Sequence, residues 1–487
     1  MRDNNVSLPT IMYQISNALN MLNKKIIHLF PYPSPTVCSL LLVGSLVGIA
    51  PAIYAADLSG LKDNEVAVFV QNMDTGRTVM EHRADAAMNP ASTMKLLTAW
   101  YSLNRLSPEY RIRTYWHSKA KIDNGVLQGD LVWRGSGDPT LDHNALQEMM
   151  QQLQAAGVKH IQGQLVLDKS LWQSVPTAEA FHDDSDAAFT VDPDTHMLDY
   201  HVVWLQFTNQ EPARWKLFPQ LAGVNVDDSQ LRWNTQNRCG MLKNRVQSQW
   251  LGSTILLKGS INAACTDQTM YSKGVVGDEF VYRAFSGLWR EIGGTGADTF
   301  RVSTTPIAAG RILAKHQSEP VAKVVETMNK YSNNVIARSL VMLSDTGNKV
   351  EATQALQQLQ QQMNSDGIND GQLVLENGSG LSRRERVSAR MMGNLLNKAY
   401  HSPYREPFWN SLPIAGVDGT LRKRFKPLTG RLHLKTGTLD NVHALAGYGV
   451  DDAGQTLAIV VMVNGKDTPQ TLTQMDNLVT KIMAMPH

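Results

Sequence analysis

Ser92 and Lys95 stand three residues apart in the stretch Asn89-Pro90-Ala91-Ser92-Thr93-Met94-Lys95-Leu96-Leu97-Thr98-Ala99. On a helix that spacing puts both side chains on one face. The stretch reads as a helix start. Pro90 suits the first turn, where its missing N–H costs nothing, and Met94, Leu96 and Leu97 supply an apolar face that runs into a core. A serine beside a buried lysine is a nucleophile beside its base, because burial lowers the ammonium pKa until the amine accepts the serine proton near neutral pH. Alone the pair decides little. Average composition supplies roughly one or two Ser-x-x-Lys matches by chance in a chain of 487 residues. A capping serine next to a solvated lysine explains an isolated match.

Two later stretches change those odds. Tyr331-Ser332-Asn333-Asn334 joins two apolar helix patterns. One runs from Pro320 to Lys330, with Val321, Val324, Val325 and Met328 on a single face; the other runs from Val335 to Leu343. Ser332 and Asn334 therefore fall in a connection, where functional groups are displayed. Lys435-Thr436-Gly437 lies in a strand pattern from Arg431 to Thr438. That tripeptide arises by chance in roughly one chain of this length in ten.

The elements that must position these groups follow an order. Glu65 to Val70 and Thr78 to Glu81 form an early hairpin through Met73-Asp74-Thr75-Gly76. Ala444 to Val450 and Leu457 to Val463 form a late one through Asp451-Asp452-Ala453-Gly454, and a closing helix spans Thr468 to Met485. Both ends of the mature chain thus supply strands, with helices between them, including a capped one from Ser388 to Tyr400. The expected fold is α+β, its antiparallel sheet pairing the two hairpins. Residues 101–299 break this pattern with short strand candidates, at Gly125–Gln128, Asp130–Trp133, Gln164–Leu167, Val202–Phe207 and Thr254–Leu257, and one helix from Asn144 to Ala156. They are read as inserted, strand-rich domains, splitting a catalytic domain made of 56–100 and 300–487. Leu373 to Leu375 reads as a short strand before the turn-rich Glu376 to Arg383.

Residues 1–55 read as a secretory signal. Lys24 and Lys25 precede the apolar run Val37 to Ala50, and small residues follow through Ala55, with Met21 an alternative start. Export permits Cys239 and Cys265 to pair, two buried thiols being the other reading; the third cysteine, Cys38, leaves with the signal. The formal net charge of +2, without a long basic run, argues against nucleic acid as a partner. No Cys/His cluster has zinc spacing and no cofactor is expected. Asp183, Asp184, Asp186, Asp192 and Asp194 cluster near Phe189, which a surface loop explains; EF-hand spacing is missing. His433 and His443 flank the third motif on strand positions that suit packed or solvated histidines.

Ser92-Thr93-Met94-Lys95, Ser332-Asn333-Asn334 and Lys435-Thr436-Gly437, in this order, form the motif set of penicillin-binding proteins and serine β-lactamases. The whole mature chain resembles the low-molecular-mass penicillin-binding proteins that act as D-alanyl-D-alanine carboxypeptidases and endopeptidases, in particular the penicillin-binding protein 4 type with domains inserted between the first two motifs. Gly135-Ser136-Gly137-Asp138-Pro139, Asn377 to Arg383 and Ala415 to Leu421 share in the resemblance. It implies a penicillin-recognising, transpeptidase-like fold and a periplasmic enzyme acting on peptidoglycan stem peptides and acylated by β-lactams. It implies Ser92 as nucleophile, Lys95 as base, Ser332 as proton relay held by Lys95 and Lys435, and Asn334 as a hydrogen-bond partner of the substrate backbone. Lys435 and Thr436 would attract the terminal carboxylate, and Gly437 would let the substrate approach. The oxyanion would sit on the N–H groups of Ser92 and Thr438. A diaminopimelate pocket carries over to Arg383, and less directly to Asp184 and Phe189. Asp440 departs from the pattern, standing where a Gln is familiar. A β-lactamase and a non-catalytic peptidoglycan-binding scaffold are the alternatives, and a homodimer and a peripheral hold on the membrane surface stay open.

Overall fold

A computed structural model describes residues 57–485 apart from 177, 179, 180, 182–187, 212, 213, 346 and 348. The signal segment, and Asp183, Asp184 and Asp186 of the acidic cluster, lie outside the described residues.

The two ends of the described chain meet in one sheet. Its strands are β1 (Val66–Asn72), β2 (Thr78–His82), β3 (Leu432–Leu439), β4 (Val442–Val450) and β5 (Thr456–Asn464), in the order β3-β4-β5-β1-β2. All neighbours are antiparallel, and β1 pairs with β5 from Val66↔Val463 to Asn72↔Leu457. Residues alternate across a strand, so the sheet buries both faces. Val66, Val68 and Val70 join Ile459 and Val461 in a core under the C-terminal helix, whose Leu478, Val479 and Ile482 cover them. Ala67, Phe69, Ala446, Val460 and Met462 face the other way into a larger core.

The longer helices among the described residues are α1 (Lys95–Leu106), α2 (His143–Ala155), α3 (Gly277–Glu291), α4 (Val321–Tyr331), α5 (Asn334–Ser344), α6 (Ala352–Ser365), α7 (Ala389–Tyr400) and α8 (Thr471–Ala484). α1, α4, α5, α6 and α7 pack on the larger core through Leu96, Val325, Leu340, Leu359 and Leu395. Asp142 caps α2, accepting from Ala145 N at 2.9 Å, and Ser388 caps α7, accepting from Met391 N at 2.8 Å.

The middle of the chain builds a second core around Trp116, Trp133, Phe280, Phe285 and Trp289. Its largest sheet runs Phe300–Ser303, Leu165–Asp168, Leu131–Arg134, Arg113–Ser118, Arg311–Gln317. Two three-stranded sheets accompany it, and the Cys239 and Cys265 sulfurs stand 2.10 Å apart, at bonding distance. The strand-rich part therefore extends beyond the boundary expected at residue 299. Arg311–Gln317 pairs with Arg113–Ser118, so the chain returns to the first sheet only after Gln317. Long-range pairing of this kind leaves no local mark.

Two helices and a strand depart from the expected elements. α3 carries Phe280, Val281, Tyr282, Phe285 and Trp289, side chains that favour strands. Burial of Phe280, Ala284, Phe285 and Trp289 along one helical face overrides that preference. α6 is rich in glutamine and buries only Ala355, Leu359 and Met363, a faint apolar stripe. Leu373–Leu375 contributes a single bridge, Val374↔Arg386, instead of a strand.

Candidate active site

The Ser92 turn is a short 3₁₀ segment, Ala91–Met94, that runs directly into α1. Ala91 has φ +43°, a left-handed conformation costly for a residue with a Cβ. Asn89 holds it there: its Oδ1 accepts from Ala91 N at 2.9 Å, while its Nδ2 donates to Ser382 O at 2.9 Å. Asn89 is held in turn by Asn464 at the end of β5, whose Oδ1 accepts from Asn89 N at 2.6 Å and whose Nδ2 donates to Asn89 O at 3.0 Å. The Ser92 turn is thereby tied to the sheet and to the loop after Glu376.

Lys95 is fully buried, and its Nζ donates to Ser92 Oγ at 3.1 Å, to Asn334 Oδ1 at 2.6 Å and to Ser379 O. Burial, opposed by the Glu385 carboxylate, brings its pKa down to about 7. Ser332 ends α4 in a left-handed conformation, φ +57°, which turns its hydroxyl toward β3. There Lys435 Nζ donates to Ser332 Oγ at 2.8 Å and to Thr436 O at 2.6 Å. Lys435 is also fully buried; burial, and then the Lys95 charge, hold its pKa well below the usual lysine range. Ser332 is bonded to Lys435, and Lys95 spends its protons on other partners, so the expected double hold by both lysines is single here. Asn333 caps α5 by accepting from Ile336 N at 3.0 Å. Asn334 uses its amide within the protein, on Lys95 and on Phe189 O at 3.1 Å.

β3 is the edge strand of the sheet. Its outer edge is covered at one end, where Ala415 N donates to Leu432 O and Leu434 N donates to Pro413 O. Backbone groups on a strand alternate sides, so Thr436 and Thr438 share the outward phase of Leu432 and Leu434. Thr436 Oγ1 donates to Thr420 Oγ1 at 2.8 Å, and Thr438 is exposed. A Cβ on Gly437 would lie 2.7 Å from Pro90 O and 3.0 Å from Ser92 N, so glycine lets β3 close on the Ser92 turn.

Sequence reading placed Ser92, Lys95, Ser332, Asn334, Lys435, Thr436, Gly437 and Thr438 in one site, and the structure brings them together. The outer pocket is less complete. Asp184 lies outside the described residues. Phe189 is 44% exposed and touches Asn334 through its carbonyl. Arg383 donates to Asp440 Oδ2 at 2.8 Å and Asp440 O at 3.1 Å, and lies over the Phe181 ring. Asp192 and Asp194 do not form a solvated loop: Asp192 pairs with buried Arg338 at 3.0 Å, and Asp194 with Lys169 at 2.6 Å. His443 pairs with Asp467 and His433 packs on Trp409. Asn89, Asn464, Ser379 and Glu385 were missed as site-builders. The turn-rich character of Glu376 to Arg383 pointed to the loop that holds Ser379; nothing local in the sequence marks Asn89, Asn464 or Glu385.

Solved structures share this fold. The crystal structure of penicillin binding protein 4 from Haemophilus influenzae has a TM-score of 0.70 at 24% identity, covering 88% of this chain and 98% of that one. In sequence, the chain is 28% identical to the D-alanyl-D-alanine carboxypeptidase DacB of H. influenzae over 447 residues, 83% of this chain and 86% of that protein. It is 26% identical to the D-alanyl-D-alanine carboxypeptidase of Actinomadura sp. strain R39 over 495 residues, 91% of this chain and 88% of that protein. Residues 51–484 match a single peptidase family over almost their whole length, and the chain belongs to that family, the D-Ala-D-Ala carboxypeptidase 3 (S13) family.

Proposed function

We propose that the protein is an exported serine D,D-peptidase. It removes the terminal D-Ala of peptidoglycan stem peptides, and opens D-Ala–diaminopimelate cross-links, through an acyl-enzyme on Ser92. The observation that carries this reading is Lys95 Nζ at 3.1 Å from Ser92 Oγ, fully buried, with a pKa of about 7. A lysine so tuned is unprotonated often enough at neutral pH to take the serine proton. Ser92 Oγ then attacks the carbonyl carbon of the penultimate D-Ala. The oxyanion falls between the N–H groups of Ser92 and Thr438, the latter on the outward phase of the open edge; such donors contribute about 3 kcal/mol each. As the C–N bond breaks, the leaving amine takes a proton from Ser332 Oγ, Lys435 resupplies Ser332 across its 2.8 Å bond, and the proton that Lys95 took from Ser92 passes on to Lys435, so that both lysines are reset. Neutral Lys95 then takes a proton from the water that attacks the ester and returns it to Ser92 Oγ as the acyl bond breaks. The substrate's terminal carboxylate meets Lys435 and the Thr436–Thr420 hydroxyl pair. A β-lactam follows the same path to a long-lived ester; a β-lactam complex of the H. influenzae penicillin binding protein 4 supports this.

Intact-mass spectrometry after mixing with benzylpenicillin tests the mechanism. One stable adduct on the Ser92 peptide, lost in S92A, is expected. No adduct with intact penicillin points to a scaffold, and no adduct with penicillin consumed points to a β-lactamase. Digestion of purified cross-linked muropeptide dimers tests the endopeptidase half; monomers are the expected product.

A further inference from the structure

Glu385 is a fully buried carboxylate that the mechanism above does not use. Its Oε1 accepts three successive backbone N–H bonds, from Glu376 at 3.1 Å, Asn377 at 2.9 Å and Gly378 at 3.0 Å. Convergent amides of this kind cradle an anion. Among the described residues its Oε2 is buried without a partner, which is expensive for a group placed only to fill space. The Ser382 hydroxyl accepts from Glu385 N at 2.9 Å, fixing the residue's own backbone. The three amides lead straight into the carbonyls that grip α1: Gly378 O accepts from Thr98 Oγ1 at 2.6 Å, and Ser379 O accepts from Lys95 Nζ.

We infer that Glu385 is a positioning residue for Lys95: its carboxylate pins residues 376–379 so that Ser379 O aims the amine at Ser92. The inference rests on the reading of Lys95 as the base of acylation. Other groups around the amine do not replace it. Asn334 and Ser92 are neutral, and Lys435 on β3 is cationic and acts in the opposite sense. Behind Glu385 stand Glu376 and Arg338, one of each sign. Among the described residues Glu385 is the carboxylate whose field acts on Lys95 and favours its protonated form; burial raises the pKa of Glu385 itself, and the three amides pull it back down.

The test is the pH profile of the benzylpenicillin acylation rate for wild type, E385Q, E385D and E385A, with folding checked by circular dichroism. E385Q keeps an oxygen for the three amides and removes the charge. Its acid limb is expected to move to lower pH by about one unit, because a lost neighbouring carboxylate makes Lys95 easier to deprotonate. E385D keeps the charge and the wild-type limb. E385A loses the anchor, and its plateau rate is expected to fall at least tenfold. An unmoved limb in folded E385Q overturns the electrostatic role, and a wild-type plateau in E385A overturns the anchoring role. If E385Q does not fold, an E385D limb displaced as far as that expected for E385Q counts against the charge. A wild-type protein that takes no adduct sinks the acylation reading itself; a wild type that acylates normally beside indifferent variants sinks only this inference.

Discussion

On the proposed mechanism a single proton at Lys95 decides activity. Burial drives the amine toward its neutral form and Glu385 pulls it back, leaving the pKa at about 7. On that mechanism the neutral form is the base, so acylation is expected to fall about tenfold per unit well below pH 7, and to fall again on the alkaline side as Lys435 loses the proton it passes to Ser332. Second-order acylation rates measured from pH 5.5 to 9 check this; a profile that rises toward acid excludes Lys95 as the base. K95M is expected to lose about 10²- to 10⁴-fold in acylation, the usual worth of a general base. The residues that the structure gathers at the candidate site were legible in the sequence because each motif is contiguous: Ser92 with Lys95, Ser332 with Asn334, Lys435 with Gly437. The residues that aim them were not. Asn464 reaches Asn89 across 375 positions, and Glu385 works through amides that gather only when the loop folds.

The elements set how closely these residues approach. The loop after Glu376 packs on the nucleophile's turn at Gly380, where φ is +83° and an added Cβ would lie 1.9 Å from Ala91 O and 2.7 Å from Ser92 N. G380A combines backbone strain of about 1–3 kcal/mol with that clash, so a lower melting temperature and slower acylation are expected together. Normal acylation by G380A would mean that the loop does not bear on Ser92. The same loop meets the β3–β4 turn through Arg383 and Asp440, which are 38% and 87% exposed. An exposed ion pair is worth up to about 1 kcal/mol. D440N should therefore free Arg383 and lower KM for diaminopimelate-containing peptides by at most about fivefold, leaving plain D-Ala-D-Ala peptides unchanged; an equal change for both substrate sets counts against Arg383 as a carboxylate ligand. Period-two strands and capped helices such as α7 were readable from local pattern. α3 was not, because its aromatic side chains favour strands until a tertiary core recruits them to one helical face.

At the scale of the whole molecule, the chain leaves one core, builds another and returns. The catalytic sheet closes only when Val66–Asn72 meets Thr456–Asn464, so the first and last hairpins cannot be stable apart. The second core holds both Cys239 and Cys265 beside Leu257 and Phe207, while Ser92, Lys95 and Lys435 are served by the other two. The cysteines are 26 residues apart, and closing a loop of that size stabilises by about 3 kcal/mol on the chain-entropy account. This stabilisation belongs to the strand-rich part alone. C239S/C265S, or reduction of the wild type, is therefore expected to lower the melting transition of that part while leaving penicillin acylation at 25 °C unchanged. The penicillin adduct on Ser92 should do the converse, moving the transition of the catalytic part. Scanning calorimetry of the four states, oxidised and reduced, free and acylated, separates the two effects. Two transitions that respond independently identify two cooperative units. One transition that answers to both treatments means that the cores unfold as one, and then loss of the cysteine pair must also lower the temperature at which Ser92 ceases to react.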